Sequence, residues 1–81
     1  MSELANQIID VFKKYKAWQD ENLGAGHSVQ MSTWNIRKHL EKEYKKQFTC
    51  ADIRNEIKAM DAIKLDEHAS RRGSLIWRYT A

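Results

Sequence analysis

The amino-acid sequence predicts a small α+β fold with three helices, one short strand and a C-terminal β-hairpin. Two observations predict this class. Apolar residues recur every three or four positions over most of the chain, which is the spacing of helices with one buried face. Near the C-terminus they alternate with polar residues instead, which is the spacing of strands. The chain has no proline, so capping residues and glycines must mark the ends of these elements.

The first helix is expected over residues 3–20, with Ser2 as its capping residue. Its apolar stripe contains Leu4, Ile8, Val11, Phe12, Tyr15 and Trp18. Glycines at positions 24 and 26 then interrupt the helical spacing and predict a loop. The alternating residues 28–31 follow and predict a short strand.

The second helix is expected over residues 33–46 and the third over residues 49–62. Ser32 or Thr33 can cap the second helix and Thr49 can cap the third, because their hydroxyl groups can accept hydrogen bonds from free amides of the first turn. Asp52 suits the positive end of the third helix dipole. The apolar stripes are Ile36, Leu40 and Tyr44 in the second helix, and Cys50, Ile53, Ile57 and Met60 in the third.

The hairpin is expected to pair strands at residues 63–68 and 74–80 through a polar tip at residues 69–73. Alternation places Leu75, Trp77 and Tyr79 on one face of the second strand. We expect Trp18 and Trp77 in the core because both fall on apolar faces. Trp34 lies off the stripe of its helix, so we expect it to cover the loop after the first helix or to lie at an interface.

Composition excludes several functional classes. The chain is 42% hydrophobic and 31% charged, the balance of a globular protein. No apolar run approaches the roughly 20 residues that cross a bilayer, and the lone Cys50 suits a reducing compartment, so a cytoplasmic protein is expected, or a nucleoid-associated one in a bacterium or archaeon. The net charge of +3, from 14 basic and 11 acidic residues, permits an anionic partner.

No residue spacing matches a metal site or a catalytic constellation. His27, His39 and His68 do not share a helical turn, and the sequence has no Cys-x2-Cys or His-x3-His pair. The loop containing Gly24 and Gly26 lacks the lysine of a phosphate-binding loop. The sequence therefore predicts no enzyme activity, no metal and no cofactor.

The order of elements resembles the winged helix-turn-helix family over about residues 4–79. The residues that carry the resemblance are Ser32 to Leu40, the turn near Phe48 and Thr49, the apolar spacing Ile53, Ile57, Met60, Ile63 and Leu65, and Arg71-Arg72-Gly73 before Leu75 and Trp77. Two features depart from the family. Lys45, Lys46 and Gln47 stand where the turn commonly has glycine. The third helix also carries the acidic residues Asp52 and Glu56.

The resemblance implies that the third helix enters the major groove of double-stranded DNA, while the basic hairpin tip binds the backbone or minor groove. On a helical wheel Ala51, Asn55, Lys58, Ala59 and Ala62 lie opposite the apolar stripe. Asn55 is the candidate reader of adenine. The candidate DNA-binding residues are Thr49, Ala51, Arg54, Asn55 and Lys58, then Ser70, Arg71, Arg72 and Ser74 at the tip, and Lys38, Lys45 and Lys46 around the second helix.

The expected function is a small transcriptional regulator or DNA-binding accessory factor of a phage, plasmid or archaeon. One such unit buries only about 600–1,000 Å² on DNA, so a homodimer is expected, formed through the first helix or the alanines of the third. The alternative is a winged-helix module that docks a protein partner through its third helix without binding DNA. The mixed charges of Asp52, Arg54, Glu56 and Lys58 favour that alternative.

Overall fold

Three helices and a three-stranded antiparallel sheet enclose one apolar core in a computed structural model, which describes residues 3–26, 28–71 and 73–79. The elements are α1 (Glu3–Asn22), β1 (Val29–Ser32), α2 (Thr33–Tyr44), α3 (Cys50–Lys58), β2 (Ile63–Leu65) and β3 (Ile76–Tyr79). The α+β prediction is therefore confirmed. The predicted cap Ser2, His27 and the predicted tip residue Arg72 lie outside the described residues.

The sheet has the strand order β1-β3-β2, so the last strand lies in the centre. Trp77 of β3 pairs with Met31 on one side and with Leu65 on the other. Its side chain is 3% exposed, and the indole N–H donates to the Thr33 hydroxyl at 2.7 Å. The prediction of Trp77 as a core residue is confirmed. This hydrogen bond ties the central strand to the start of α2.

Helices α1, α2 and α3 bury their apolar stripes against this sheet. The largest fully buried side chains include Phe12 and Ile8 of α1, Ile36 and Leu40 of α2, and Ile53 and Ile57 of α3. Each such aliphatic or aromatic side chain stabilises the fold by about 1.5–3 kcal/mol. None of the helices in the described part of the chain has the length and apolar character that a membrane span requires.

Helices α2 and α3 begin where the capping residues predict. The Ser32 hydroxyl accepts from the Asn35 amide at 3.1 Å. Thr49 and Asp52 form a reciprocal capping box, each side chain accepting from the other's amide at 3.1 Å. Helix α2 ends at Tyr44, two residues before the prediction, because Lys45 takes the left-handed conformation (φ 55°) and its amide bonds to the Glu41 carbonyl. A lysine thus occupies the turn position that glycine commonly fills.

Three further predicted elements are too long. Helix α3 ends at Lys58 rather than at residue 62, because the amides of Ala59 and Met60 bond three residues back and close the last turn. Strand β2 ends at Leu65 rather than at residue 68, because the Asp66 carboxylate accepts from the His68 and Ala69 amides and bends the chain. Strand β3 likewise begins at Ile76 rather than at residue 74.

The prediction of Trp18 as a core residue is wrong. Its side chain is 51% exposed and stacks on Tyr15, with ring centroids 5.9 Å apart. It lies at the edge of the α1 stripe, where α2 presents the polar residues His39 and Lys42 instead of an apolar partner. Cys50 is half-buried rather than buried.

Candidate nucleic-acid interface

A cleft of about 390 Å³ separates α3 from the hairpin tip. We call it the α3–hairpin cleft. Its walls are Ser32, Thr33 and Trp34 at the start of α2, Cys50 and Arg54 on α3, and Gly73, Ser74 and Leu75 before β3. Among the predicted site residues, Arg54 and Ser74 thus share one surface. The cleft is open to solvent, so a ligand can reach both elements together.

The outer face of α3 is exposed, as the helical wheel predicts. Ala51, Asn55, Lys58 and Ala59 are exposed, whereas Ile53 and Ile57 are buried on the opposite face. Arg54 is half-buried on the cleft side of the helix. The side chains of Arg54, Asn55 and Lys58 make no hydrogen bond or ion pair with another described residue. These polar groups are therefore available to an external partner.

Thr49 and Asp52 have a structural role at the start of α3. The Thr49 hydroxyl accepts from the Asp52 amide, and the Asp52 carboxylate accepts from the Thr49 amide. The hydroxyl group still has its own proton to donate, so the predicted contact with a phosphate remains chemically open for Thr49. Helix capping thus explains Asp52, one of the two acidic residues that depart from the family pattern.

The hairpin tip is closed by its own backbone. The Arg71 and Ser74 amides each donate to the other residue's carbonyl, at 2.9 and 2.8 Å. Gly73 has a φ of 82°, which side-chain-bearing residues rarely adopt. The Arg71 guanidinium folds back and donates to the carbonyls of His68 and Ser70 at 2.9 and 3.1 Å. Within the described part of the tip, the Arg71 guanidinium is thus bound to carbonyl groups of the hairpin itself.

Ser70 occupies a different position from the one predicted for it. Its hydroxyl accepts from the Ile76 amide at 2.9 Å and donates to the Asp66 carbonyl at 2.7 Å. Both bonds lie inside the hairpin, and the bond to the Asp66 carbonyl uses the proton of the hydroxyl group. The geometry therefore favours a structural role for Ser70 over a contact with phosphate.

The base of the hairpin is fixed by what we call the Asp66 clamp. The buried Asp66 carboxylate accepts from the Ala69 and His68 amides at 3.1 Å, from the Arg78 guanidinium at 2.9 Å and from the Gln30 amide group. Bonding to the Ala69 amide lowers the pKa of Asp66 against the opposing effect of burial, and Arg78 lowers it further. The charged carboxylate therefore orients the hairpin relative to the sheet.

The three candidate lysines of the α2 region differ in their surroundings. The Lys38 ammonium lies 4.5 Å from the centre of the Trp34 ring, beside the α3–hairpin cleft. Lys46 pairs with Glu3 at the start of α1, at 3.1 Å. Lys45 is exposed and pairs with no other described side chain. The structure therefore associates Lys38 with the cleft and turns Lys46 towards α1.

Of the eight residues that line the cleft, six are absent from the predicted site, among them Trp34 and Cys50. Trp34 is 53% exposed. Its position off the apolar stripe of α2 was the one signal that could have placed it in a site. Cys50 gave no such signal, because unpaired cysteine is among the residues most often buried. The sequence alone does not predict that Trp34 and Arg54 line the same cleft, because they belong to different helices.

Comparison of the chain with models of protein families, with curated proteins and with solved structures finds no match. Within the described residues, no three His, Cys, Asp or Glu side chains form a group that could hold a metal ion. The function is therefore inferred from the chain's own residues. The features that carry the inference are the exposed face of α3 and the cleft beside it.

Proposed function

We propose that this protein is a winged-helix protein that binds double-stranded DNA, as a small transcriptional regulator or accessory factor without enzymatic activity. The observation that carries the proposal is that Arg54 of α3 and Ser74 of the hairpin tip line one open cleft. A helix in the major groove and a hairpin on the adjacent backbone can then contact the same duplex. The strand order and the position of the hairpin after α3 support the winged-helix interpretation.

Asn55 is the proposed reader of base edges. It is exposed between Ala51 and Ala59, which lie one turn away on either side. Short neighbours let the helix approach the groove closely, and an asparagine amide can bond an adenine in two places. Arg54 and Lys58 are proposed to contact phosphates beside it.

The hairpin tip is proposed to bind the DNA backbone through Arg71 and its neighbour Arg72. The carbonyl partners of the Arg71 guanidinium are exchangeable, because a phosphate gives a stronger, charge-assisted bond. Lys38 is proposed to add a phosphate contact from the α2 side. The Trp34 ring, which lines the cleft, lies 4.5 Å from the Lys38 ammonium.

A salt titration with duplex DNA tests the proposal. The logarithm of the binding constant should fall with the logarithm of salt concentration by about 0.9 for each phosphate neutralised. Arg54→Ala should weaken binding and reduce this slope by about one. Lys16→Ala is the matched control, because Lys16 pairs with Asp20 on α1 at 2.8 Å. Binding that ignores salt, or equal losses in both variants, contradicts the proposal.

Base reading is tested separately by selection from random duplexes. Asn55→Ala should reduce discrimination at one position by about 1–3 kcal/mol while leaving non-specific binding intact. The double change Arg71→Ala and Arg72→Ala should instead weaken binding to all sequences alike. An unchanged selected motif with Asn55→Ala would remove α3 from the reading role.

A protein-interaction module remains the second candidate. The observation that favours it is the acidic Asp52 on the exposed first turn of α3, which a polyanion repels. In that case α3 docks on a protein, and the affinity for this partner barely responds to salt. The same titration therefore distinguishes the two functions.

A further inference from the structure

A second groove, of about 430 Å³, lies between α1 and α2. We call it the α1–α2 groove. Its floor and rim contain Val11, Lys14, Tyr15, Trp18, His39, Lys42 and Glu43. The half-exposed indole of Trp18 is part of its lining and stacks on Tyr15. The proposed DNA contacts use neither the Trp18 ring nor the Tyr15 ring, so DNA binding does not explain why Trp18 is exposed.

The two helices that form this groove run antiparallel. Glu3 pairs with Lys46, and Lys14 lies 3.6 Å from Glu43, so the start of α1 faces the end of α2. Trp18 and His39 both line the groove farther along. The groove therefore follows α1 from Lys14 to Trp18.

A cation lines this groove without a partner, and an anion without a partner follows the groove on α1. Lys14, Trp18 and Glu21 are spaced four and three residues apart, so they share one line along α1. Glu21 is exposed and pairs with no other described residue, and the same holds for Lys42 on the α2 wall. Within the described chain, Lys42 is therefore a free cation in the groove, next to the Lys14–Glu43 pair, and Glu21 is a free anion on α1 three residues beyond Trp18.

Such a surface is complementary to itself. When two α1 helices cross antiparallel at Trp18, a residue three positions after Trp18 faces one three positions before it in the other copy. The partner's Glu21 then lies level with Tyr15, beside Lys42, and the same contact recurs by symmetry. Twofold dimers require this kind of self-complementary patch.

From this complementarity we infer that the α1–α2 groove is the dimer contact of this protein and that its occupant is a second copy of the chain. The two Trp18 rings stack at the twofold axis, and Glu21 pairs with the partner's Lys42 on each side. Helix α2 presents Trp34 to the α3–hairpin cleft and His39 with Lys42 to the groove. Dimerisation therefore leaves the proposed DNA surface accessible.

Sedimentation equilibrium in the absence of DNA tests the inference independently of DNA binding. The unmodified chain should sediment as a dimer. Trp18→Glu should raise the dimer dissociation constant at least about thirtyfold, because it removes a central aromatic contact twice. Trp34→Glu is the matched control, since Trp34 is equally exposed but lies in the other cleft, and it should leave the constant unchanged. Circular dichroism of both variants verifies that they are folded.

A charge exchange tests the orientation of the two copies. Lys42→Glu and Glu21→Lys should each raise the dissociation constant about three- to tenfold. The double variant should restore the original value, because the pair is re-formed with its signs reversed. Both side chains are exposed and unpaired within the described chain, so these changes spare the fold. A monomeric unmodified chain, equal effects of Trp18→Glu and Trp34→Glu, or no recovery in the double variant would overturn the inference.

Discussion

The carboxylate of Asp66 fixes the base of the hairpin through several hydrogen bonds. It accepts hydrogen bonds from two strands and from the turn between β2 and the hairpin tip. Removing its charge leaves the Arg78 guanidinium and the two backbone amides with a weaker acceptor, which is unfavourable for these donors. The position of the hairpin therefore depends on the ionisation of one residue.

Asp66→Asn should make stability less sensitive to acid. Because hydrogen bonding lowers the pKa of Asp66 below 3.8 in the folded protein, its charge stabilises the fold above that value. This contribution should be lost as the pH falls from about 4 towards the lowered pKa. Urea midpoints measured between pH 7 and pH 2 should converge for the two proteins at low pH. Asp61→Asn, at an exposed position, is the control and should track the unmodified chain.

Lys45→Gly should stabilise the protein by about 0.5–1 kcal/mol, because Lys45 has a φ of 55° and glycine adopts that conformation without a steric penalty. Urea unfolding measures the gain. Lys46→Gly is the matched control, since Lys46 does not have a positive φ. An equal gain at both positions would mean that conformational strain is not the cause.

At the scale of elements, the start of α3 depends on the capping box. Thr49→Ala should lower the free energy of unfolding by about 1 kcal/mol, because it leaves the Asp52 amide without its acceptor. Thr49→Ser keeps the hydroxyl group and should cost much less. Urea unfolding of both variants checks the prediction, and an equal loss would point to packing rather than capping.

The sequence predicts the starts of helices better than the ends of α3 and β2. Ser32 and Thr49 act locally, through hydrogen bonds to amides three residues on, so they are visible in sequence. The end of α3 is decided by the core instead. Residues 59–62 are compatible with a helix, but Met60 and Ile63 both reach the core when the helix closes at Lys58.

The misplacement of Trp18 has a related cause. Helical spacing tells which side chains share a face, but not how far the neighbouring helix covers that face. Here α2 stops covering α1 with apolar groups at His39 and Lys42. The prediction of the site residues is limited in the same way. The hydrogen bonds that hold Ser70 and Arg71 within the hairpin depend on three-dimensional distances, which sequence spacing does not give.

At the scale of the whole molecule, the reactivity of the Cys50 thiol can be used to test whether DNA covers the proposed DNA surface. It is the chain's one cysteine, and it lies half-buried in the α3–hairpin cleft. Duplex DNA should slow its reaction with a thiol reagent several-fold by covering the cleft. Ala17→Cys in a Cys50→Ser background supplies an exposed thiol on α1 as the control. Equal protection at both positions would indicate non-specific coating rather than a defined interface.

Helix α2 borders both the α3–hairpin cleft and the α1–α2 groove. Its 12 residues form a rod about 18 Å long, which does not flex appreciably over that length. In the proposed dimer, this rod holds the two proposed DNA-binding surfaces at a fixed separation and a fixed rotation about the DNA axis. The affinity of this dimer for a DNA site with two half-sites should therefore fall sharply when a few base pairs are inserted between the halves. It should recover only when the insertion reaches a full turn of the double helix.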